Sequence, residues 1–172
     1  MGKPHYFALA AMTIDGYIAR YPGHDSNWTS EEDTRHLHEM EDKADVLLLA
    51  RTSYEIAKKR LAKRKCIVLT SKVNGLEEKG NALYVNPEKT DLGKIVREKG
   101  YKKVCVLGGR GAYNYALKKG LLDEIYLTVE PIVFGEGIGM FSEKTETKRF
   151  SLVSVKKLNN KGSLLLRYKK KS

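Results

Sequence analysis

The sequence predicts one α/β domain over residues 1–172, a layer sandwich on a mostly parallel sheet with an antiparallel hairpin at its C-terminal edge. Three observations predict it. Strand-length runs such as "ADVLLLA" and "KCIVLT" are apolar at consecutive positions, as strands covered on both faces must be. These runs alternate with amphipathic helical patterns. After residue 148 the alternation gives way to "RFSLVSVKKL", a turn "NNKG" and "SLLLRYKK", which is a hairpin pattern.

The elements follow in order. "HYFALAAMT" is the first strand and runs into "TIDGYIAR". "TSEEDTRHLHEMEDKA" reads as a helix. Ser30 can cap it, Glu31, Glu32 and Asp33 fill the first turn where the helix dipole favours acids, and Leu37, Met40 and Ala44 share one face. "ADVLLLA" is a buried strand, and a helix starts directly after it at "ARTSYE". "KCIVLT" and "NALYV" are further strands. "KTDLGKIVREKG" places Leu92, Ile95 and Val96 at helical spacing and stops at Gly100. "KKVCVLG" is the next strand. "GAYNYALKKG" is a helix with Tyr113, Ala116 and Leu117 on one side and Gly120 at its end. "EIYLTVEPIV" precedes the hairpin.

Composition narrows the function classes. Hydrophobic residues at 41% and charged ones at 31% fit a globular chain long enough to bury a core. The longest apolar runs are strand-length, so no transmembrane helix is expected. The N-terminus lacks a signal-peptide cleavage pattern, and a cytoplasmic location is expected. Cys66 and Cys105 lie inside apolar runs without a CxxC or Cys/His cluster, so they read as buried, inert thiols. His36 and His38 point to different helix faces, and no metal site is expected. The net charge of +11, with the runs "KKRLAKRK" and "RYKKKS", raises nucleic acid as a partner. Aromatic residues do not interleave with the basic runs, and acids are plentiful, so nucleic acid is not the partner expected. The absence of glutamine beside many Lys/Glu pairs is the habit of a heat-adapted protein.

The chemistry concentrates where strands end. "VLGGRG" stops an apolar run at Gly108 and Gly109 and then opens a helix. Glycines there either let a phosphate reach backbone N–H groups or simply make a tight strand-to-helix turn. Two more strand ends tip the reading toward a ligand. Arg51 and Thr52 follow one, and Thr70, Ser71 and Lys72 follow another. Ligands of open parallel sheets bind beyond the carboxyl ends of strands, and arginine grips phosphate bidentately.

These residues carry a resemblance. "ALAAMTIDGYIAR", "NWTSEED", "ADVLLLARTSYE", "IVLTS", "VLGGRGAYNYAL", "GLLDEIYLTVEPIVFGEGIGMF" and "LLLRY" occur in the order found in the reductase domain of riboflavin biosynthesis (RibD C-terminal type). That group is similar to dihydrofolate reductase in fold, and the resemblance runs from about residue 5 to residue 168. It implies a dihydrofolate-reductase-like three-layer sandwich, NADPH as hydride donor, and a homodimer. Arg51 and Thr52 would hold cofactor phosphates, and Thr70 and Ser71 the 2′-phosphate of the adenosine ribose. Gly108 and Gly109 would turn against the pyrophosphate, with Arg110, Gly111 and Ala112 opening the helix beneath it. Ala50 stands where the family often has glycine.

The substrate side departs from the riboflavin reductases. Their "D-D-P-x-L-x-x-R"-like loop is absent from "SYEIAKKRLAKRKCIVL", Glu41 stands near the place of an arginine, and Leu107 near that of an acid. The short "ARTSYE" segment resembles small stand-alone relatives. The buried helix acid of dihydrofolate reductases has no clear counterpart, since Glu31, Glu32 and Asp33 read as first-turn acids. Asp15 in "TIDGYIA" can orient a substrate or relay a proton, or can make a tight Asp-Gly turn. Thr13 and Trp28 are candidates for lining the same pocket. Glu130 reads as a strand-end residue paired with a lysine, or as a pocket acid. The expected activity is hydride transfer to a C=N or C=O group of a small pyrimidine- or pteridine-like substrate, with the phosphoribosylamino-pyrimidine of riboflavin synthesis as the named candidate. Reduction of dihydrofolate, a pterin or another small carbonyl compound is the alternative within enzymes. A nucleotide-binding protein without turnover, or a basic nucleic-acid-binding module, is the alternative outside them.

Overall fold

Every strand read from the sequence forms in a computed structural model, which describes residues 2–142 and 144–172. The elements are β1 (His5–Thr13), β2 (Tyr17–Ala19), α1 (Glu31–Asp42), β3 (Val46–Ala50), α2 (Arg51–Ala57) and β4 (Cys66–Leu69). There follow β5 (Leu76–Lys79), β6 (Ala82–Val85), α3 (Leu92–Glu98), β7 (Lys103–Gly108), α4 (Arg110–Lys118), β8 (Leu122–Glu130), β9 (Ile138–Gly139), β10 (Phe150–Lys157) and β11 (Leu164–Lys170).

One sheet runs in the order β10-β11-β8-β1-β7-β3-β4-β6-β5. Its centre, from β8 through β6, is parallel throughout, and β11, β10 and β5 are antiparallel. The fold is thus the mostly parallel α/β architecture with an antiparallel C-terminal pair. β2 and β9 form a separate two-stranded ribbon.

Side chains alternate along a strand, so each central strand feeds two cores. Val46 and Leu48 of β3 join Val104, Val106, Ile67 and Val85 in packing against Leu92 and Val96 of α3 and Ala112, Tyr113 and Ala116 of α4. Leu47 and Leu49 join Phe7, Leu9, Val68 and Cys105 in packing against Met40 of α1, Tyr54 of α2 and Leu61. Both faces are covered, which is why these strands are apolar at every position. Cys66 and Cys105 are free and buried, and burial pushes Cys66 up to about 11 and Cys105 well above the ordinary thiol value.

The helix boundaries follow their local chemistry. The Ser30 side chain accepts from the Asp33 N–H at the start of α1, and Asp91 does the same for Lys94 at α3. β8 stops before Pro131, which has no N–H for a ladder. β5, with sequence LEEK, is exposed at every position and shows no apolar alternation. β2 and β9 are too short for any period.

Tyr113 ties α4 to the sheet. Its hydroxyl reaches the carbonyls of Leu9 on β1 and, at 3.2 Å, Leu107 on β7, and burial drives its pKa upward. The hydroxyl has one proton, given mainly to Leu9, so removing it leaves that carbonyl short of a donor at the level of the strand ends. Tyr113→Phe is expected to cost about 1–3 kcal/mol of stability, read as a shifted urea midpoint with an unchanged slope.

Candidate active site

β7, β3 and β4 are neighbours, so their carboxyl ends at Gly108, Ala50 and Leu69 lie side by side, each strand about 4.8 Å from the next. α2 begins immediately after β3, and α4 one residue after β7. Neither helix has a side-chain cap. The first N–H groups of α4, and the positive end of its dipole, are therefore left for whatever sits above them.

The glycines of "GGRG" serve two ends. Gly108 has φ +120, and a Cβ there would meet the Tyr113 hydroxyl at 3.1 Å. The Gly108–Gly109 peptide is cis. A Cβ on Gly109 would stand 2.9 Å from Ser53 Oγ, whereas one on Gly111 would make only an ordinary 3.7 Å contact with Ala50. Gly108 is thus required by its backbone conformation and by Tyr113, whereas a side chain on Gly109 would have to push the Ser53 hydroxyl aside. Gly111 keeps the helix start bare.

A cleft of about 370 Å³ opens over these strand ends. Of the residues proposed for a cofactor, Thr52, Gly108, Gly109, Arg110 and Gly111 line it. Arg51 and Ser71 are exposed on the same sheet edge but outside the cleft wall. Thr70 is buried, and its Oγ1 accepts from the Lys72 N–H at 3.1 Å, which fixes the turn after β4. Ala112 is a core residue under the cleft and does not line it. Arg110 is held in place by donating from Nε to the Gly139 carbonyl at 3.0 Å.

At the other end, two expectations are corrected. Asp15 does not line the cleft. Its carboxylate accepts from the Thr13 hydroxyl and from the N–H groups of Phe134 and Gly135, and the Thr13 bond above all holds it below the usual carboxylate range. Thr13 is fully buried, and its Oγ1 also accepts from Tyr17 N–H. This pair builds the β1–β2 turn and anchors the loop after β8. Trp28 does line the cleft.

Two acids line the cleft, Asp25, which is exposed, and Asp33, which is buried. Asp33 sits in the first turn of α1, beside Thr128, His36, Trp28 and Tyr126. Burial raises its pKa; the Thr128 and Thr29 hydroxyls oppose the rise, and the nearby Glu130 adds to it. Burial also lowers His36, so the imidazole beside it is neutral. Trp28 Nε1 and His36 Nε2 are buried with no hydrogen-bond partner among the described residues. The sequence carried a signal for Asp33. It shares the helix face of Leu37, Met40 and Ala44, so it points inward with them.

Glu130 is corrected as well. It is buried and pairs with no lysine among the described residues. It accepts from the Ser30 N–H at 2.8 Å, from the Ser30 hydroxyl at 2.7 Å and from the Ser163 hydroxyl. Asn159 donates to Ser163 Oγ and to Glu32. The turn between β10 and β11 is thereby clamped to the end of α1 that carries Asp33. Among the described residues, no cluster of histidine, cysteine and carboxylate suits a metal, and no helix is long and apolar enough to cross a membrane.

Comparison with known proteins gives a consistent set of likenesses. Residues 4–67 and 61–164 match the family described as the RibD C-terminal domain. An uncharacterized protein of Bacillus subtilis, YwjB, is 25% identical over 85% of this chain and 87% of its own. The fold superposes on a putative riboflavin biosynthesis protein from Shewanella with TM-score 0.76 and 19% identity, covering 98% of this chain and 99% of that one. It also superposes on a diaminohydroxyphosphoribosylaminopyrimidine deaminase/5-amino-6-(5-phosphoribosylamino)uracil reductase from Thermotoga maritima, with TM-score 0.76 and 17% identity. That match covers 98% of this chain and 57% of that one.

The elevated pKa of Asp33 makes a stability prediction with a definite sign. The unfolded chain releases this proton at the ordinary carboxylate value and the folded chain holds it longer. Ionisation therefore favours unfolding, and stability is lost as pH rises through the folded value. Asp33→Asn is expected to raise the melting temperature at about pH 8, with the gain vanishing toward about pH 4. A lower melting temperature than wild type at the higher pH would show that the carboxylate is stabilising.

Proposed function

Because the chain belongs to the RibD C-terminal domain family, whose members are reductases, we propose that it is an NADPH-dependent reductase of a small pyrimidine- or pteridine-like substrate. The observation that carries this reading is the two-ended cleft. One end is the uncapped start of α4 with Thr52, Arg110 and Gly111, and the other is Asp33 with Trp28, His36, Thr128 and Tyr126.

The first end fits a dinucleotide. The bare helix start at Gly111 and the unspent N–H groups of α4 suit a pyrophosphate, and Arg51 and Thr52 stand at the adjoining strand end. Thr70, Ser71 and Lys72, one strand further, are the groups we assign to a 2′-phosphate. When bound, the nicotinamide supplies a hydride. Asp33, protonated to higher pH than an ordinary carboxyl, gives its proton to the nitrogen or oxygen of the acceptor's C=N or C=O bond and is left as the carboxylate, to be reprotonated from solvent. Thr128 orients its oxygen. Trp28 and Tyr126 wall the acceptor against bulk water, and neutral His36 adds no competing positive charge. Holding donor and acceptor together supplies most of the acceleration.

The named candidate for the acceptor is the phosphoribosylamino-pyrimidine in the name of the Thermotoga relative. A second reading, a pterin or dihydrofolate, is favoured by Asp33, a buried cleft acid on the first helix of the kind a pterin reductase uses.

The test is a thermal-shift titration with NADPH and NADH, followed by oxidation of NADPH at saturating dinucleotide with the aminopyrimidine and with dihydrofolate. A saturable rise with NADPH is expected, weaker with NADH and abolished in Gly109→Val, whose side chain would push the Ser53 hydroxyl aside. Asp33→Asn is expected to keep the shift and to lower kcat by about 10²–10⁴-fold. Wild-type turnover is expected to fall as pH rises through the elevated pKa of Asp33. No shift with either dinucleotide in folded protein overturns the reading.

A further inference from the structure

The basic run Lys58–Lys65, the densest in the chain, takes no part in the chemistry above. It leaves α2 and forms the turns leading to β4. This segment is rigidly held. Leu61 is fully buried, its N–H bonds to Ala57 O, and Arg64 N–H bonds to Leu61 O. From the far side the Asn81 amide donates to the carbonyls of Leu61 and Arg64, at 2.9 and 2.7 Å.

Between these anchors, Arg60 lines the cleft with His36, Ser53 and Ile56. Behind it lies Glu41 of α1, whose side chain has no exposed surface. Arg60 gives both of its hydrogen bonds to the two Glu41 oxygens from a single nitrogen, Nη1, at 2.8 and 2.7 Å. Its Nε and Nη2 therefore keep their N–H groups unspent among the described residues, on a side chain 37% exposed. The neighbourhood stays positive. Arg64 is taken by Asp42 and, from Nε at 3.5 Å, by Glu41, and Lys58 by Glu55, while Lys59 and Lys63 make no ion pair among the described residues.

Burying a carboxylate costs desolvation that a surface ion pair would avoid. What the burial achieves is a guanidinium gripped from behind on a fixed turn, its remaining N–H fork presented to a partly enclosed cleft. A planar fork of that kind matches the oxygens of a carboxylate or phosphate.

The geometry points to Arg60 as a specificity residue that binds an anionic substituent, phosphate or carboxylate, on the acceptor substrate, with Glu41 as its positioning residue. This rests on the reading of the Asp33 end of the cleft as the acceptor site.

The experiment is a calorimetric titration of protein saturated with NADP⁺, using uridine 5′-monophosphate, uridine 5′-carboxylate and uridine. Saturation keeps the nucleotides out of the dinucleotide end. Either anion is expected to bind at least about tenfold tighter than uridine, the gain of one charge-assisted contact, and the larger gain identifies the group. The gain is expected to disappear in Arg60→Met and to persist in Lys63→Met. Because Arg60→Met alone leaves the buried Glu41 carboxylate only the longer 3.5 Å pairing with Arg64 among the described residues, the paired variant Glu41→Gln/Arg60→Gln is run beside it. Glu41→Gln alone leaves the Arg60 charge in place but frees its direction, and is expected to shrink the gain without abolishing it. Equal binding of all three compounds, binding of none, or an anion preference that survives the paired variant overturns the proposal. Failure of NADP⁺ to bind overturns the reductase reading instead, and the same comparison then runs without dinucleotide and is judged by the same outcomes.

Discussion

The middles of strands β1, β7, β3 and β4 are covered on both faces, so they carry no charged side chain there. The functional groups are therefore drawn from strand ends, from the helices that cover the sheet and the loops between them, and from β8, which brings Tyr126 and Thr128 to the cleft. With the strands parallel, all carboxyl ends fall on one edge, and the helix starts that follow them fall there too. The cleft is a direct consequence of double-sided burial. Its phosphate-compatible end is made of backbone because the strand ends deliver backbone, and its buried acid comes from a covering helix.

Three buried acids show how surroundings divide one chemistry into separate tasks. Asp33 faces hydroxyls and a neutral imidazole, so burial raises its pKa and suits it to hold a proton. Glu41 faces two guanidiniums and serves to aim one of them. Glu130 faces two serine hydroxyls and a backbone N–H, and it joins α1, β8 and the last turn of the chain into one unit. A carboxyl group alone says little about role. The partners within 3 Å decide it.

The sheet was legible in the sequence because its strands must be apolar on consecutive positions, and the helices because their caps and apolar faces are local. β5, β2 and β9 were not, since LEEK is exposed throughout and the ribbon strands are too short for a period. The site was legible where it is backbone. "GGRG" marked a strand end that opens on the cleft, although Gly108 is demanded by its own backbone conformation and by Tyr113, and Gly109 packs close to the Ser53 hydroxyl. Side-chain roles read less well. Asp15 and Thr13 looked functional from their place at the end of β1, but Thr13 is spent on Asp15 and Tyr17, and Asp15 on the Phe134 and Gly135 N–H groups of a loop more than a hundred residues away. Asp33 was hidden behind its own helix-dipole role, which it also fills. Glu130 found serines that no spacing announced.

The order of the outer strands has a consequence for how the protein comes into being. β10 touches the sheet only through β11, which is made after it, and the turn that locks Glu130 lies between the two. A chain emerging from the ribosome can complete its doubly covered centre while β10 still has no neighbour. The clamp on the Asp33 end of α1 closes only when β11 slides in between β8 and β10. The bracing of the cleft is therefore tied to β11, which follows every other strand of the sheet in the chain.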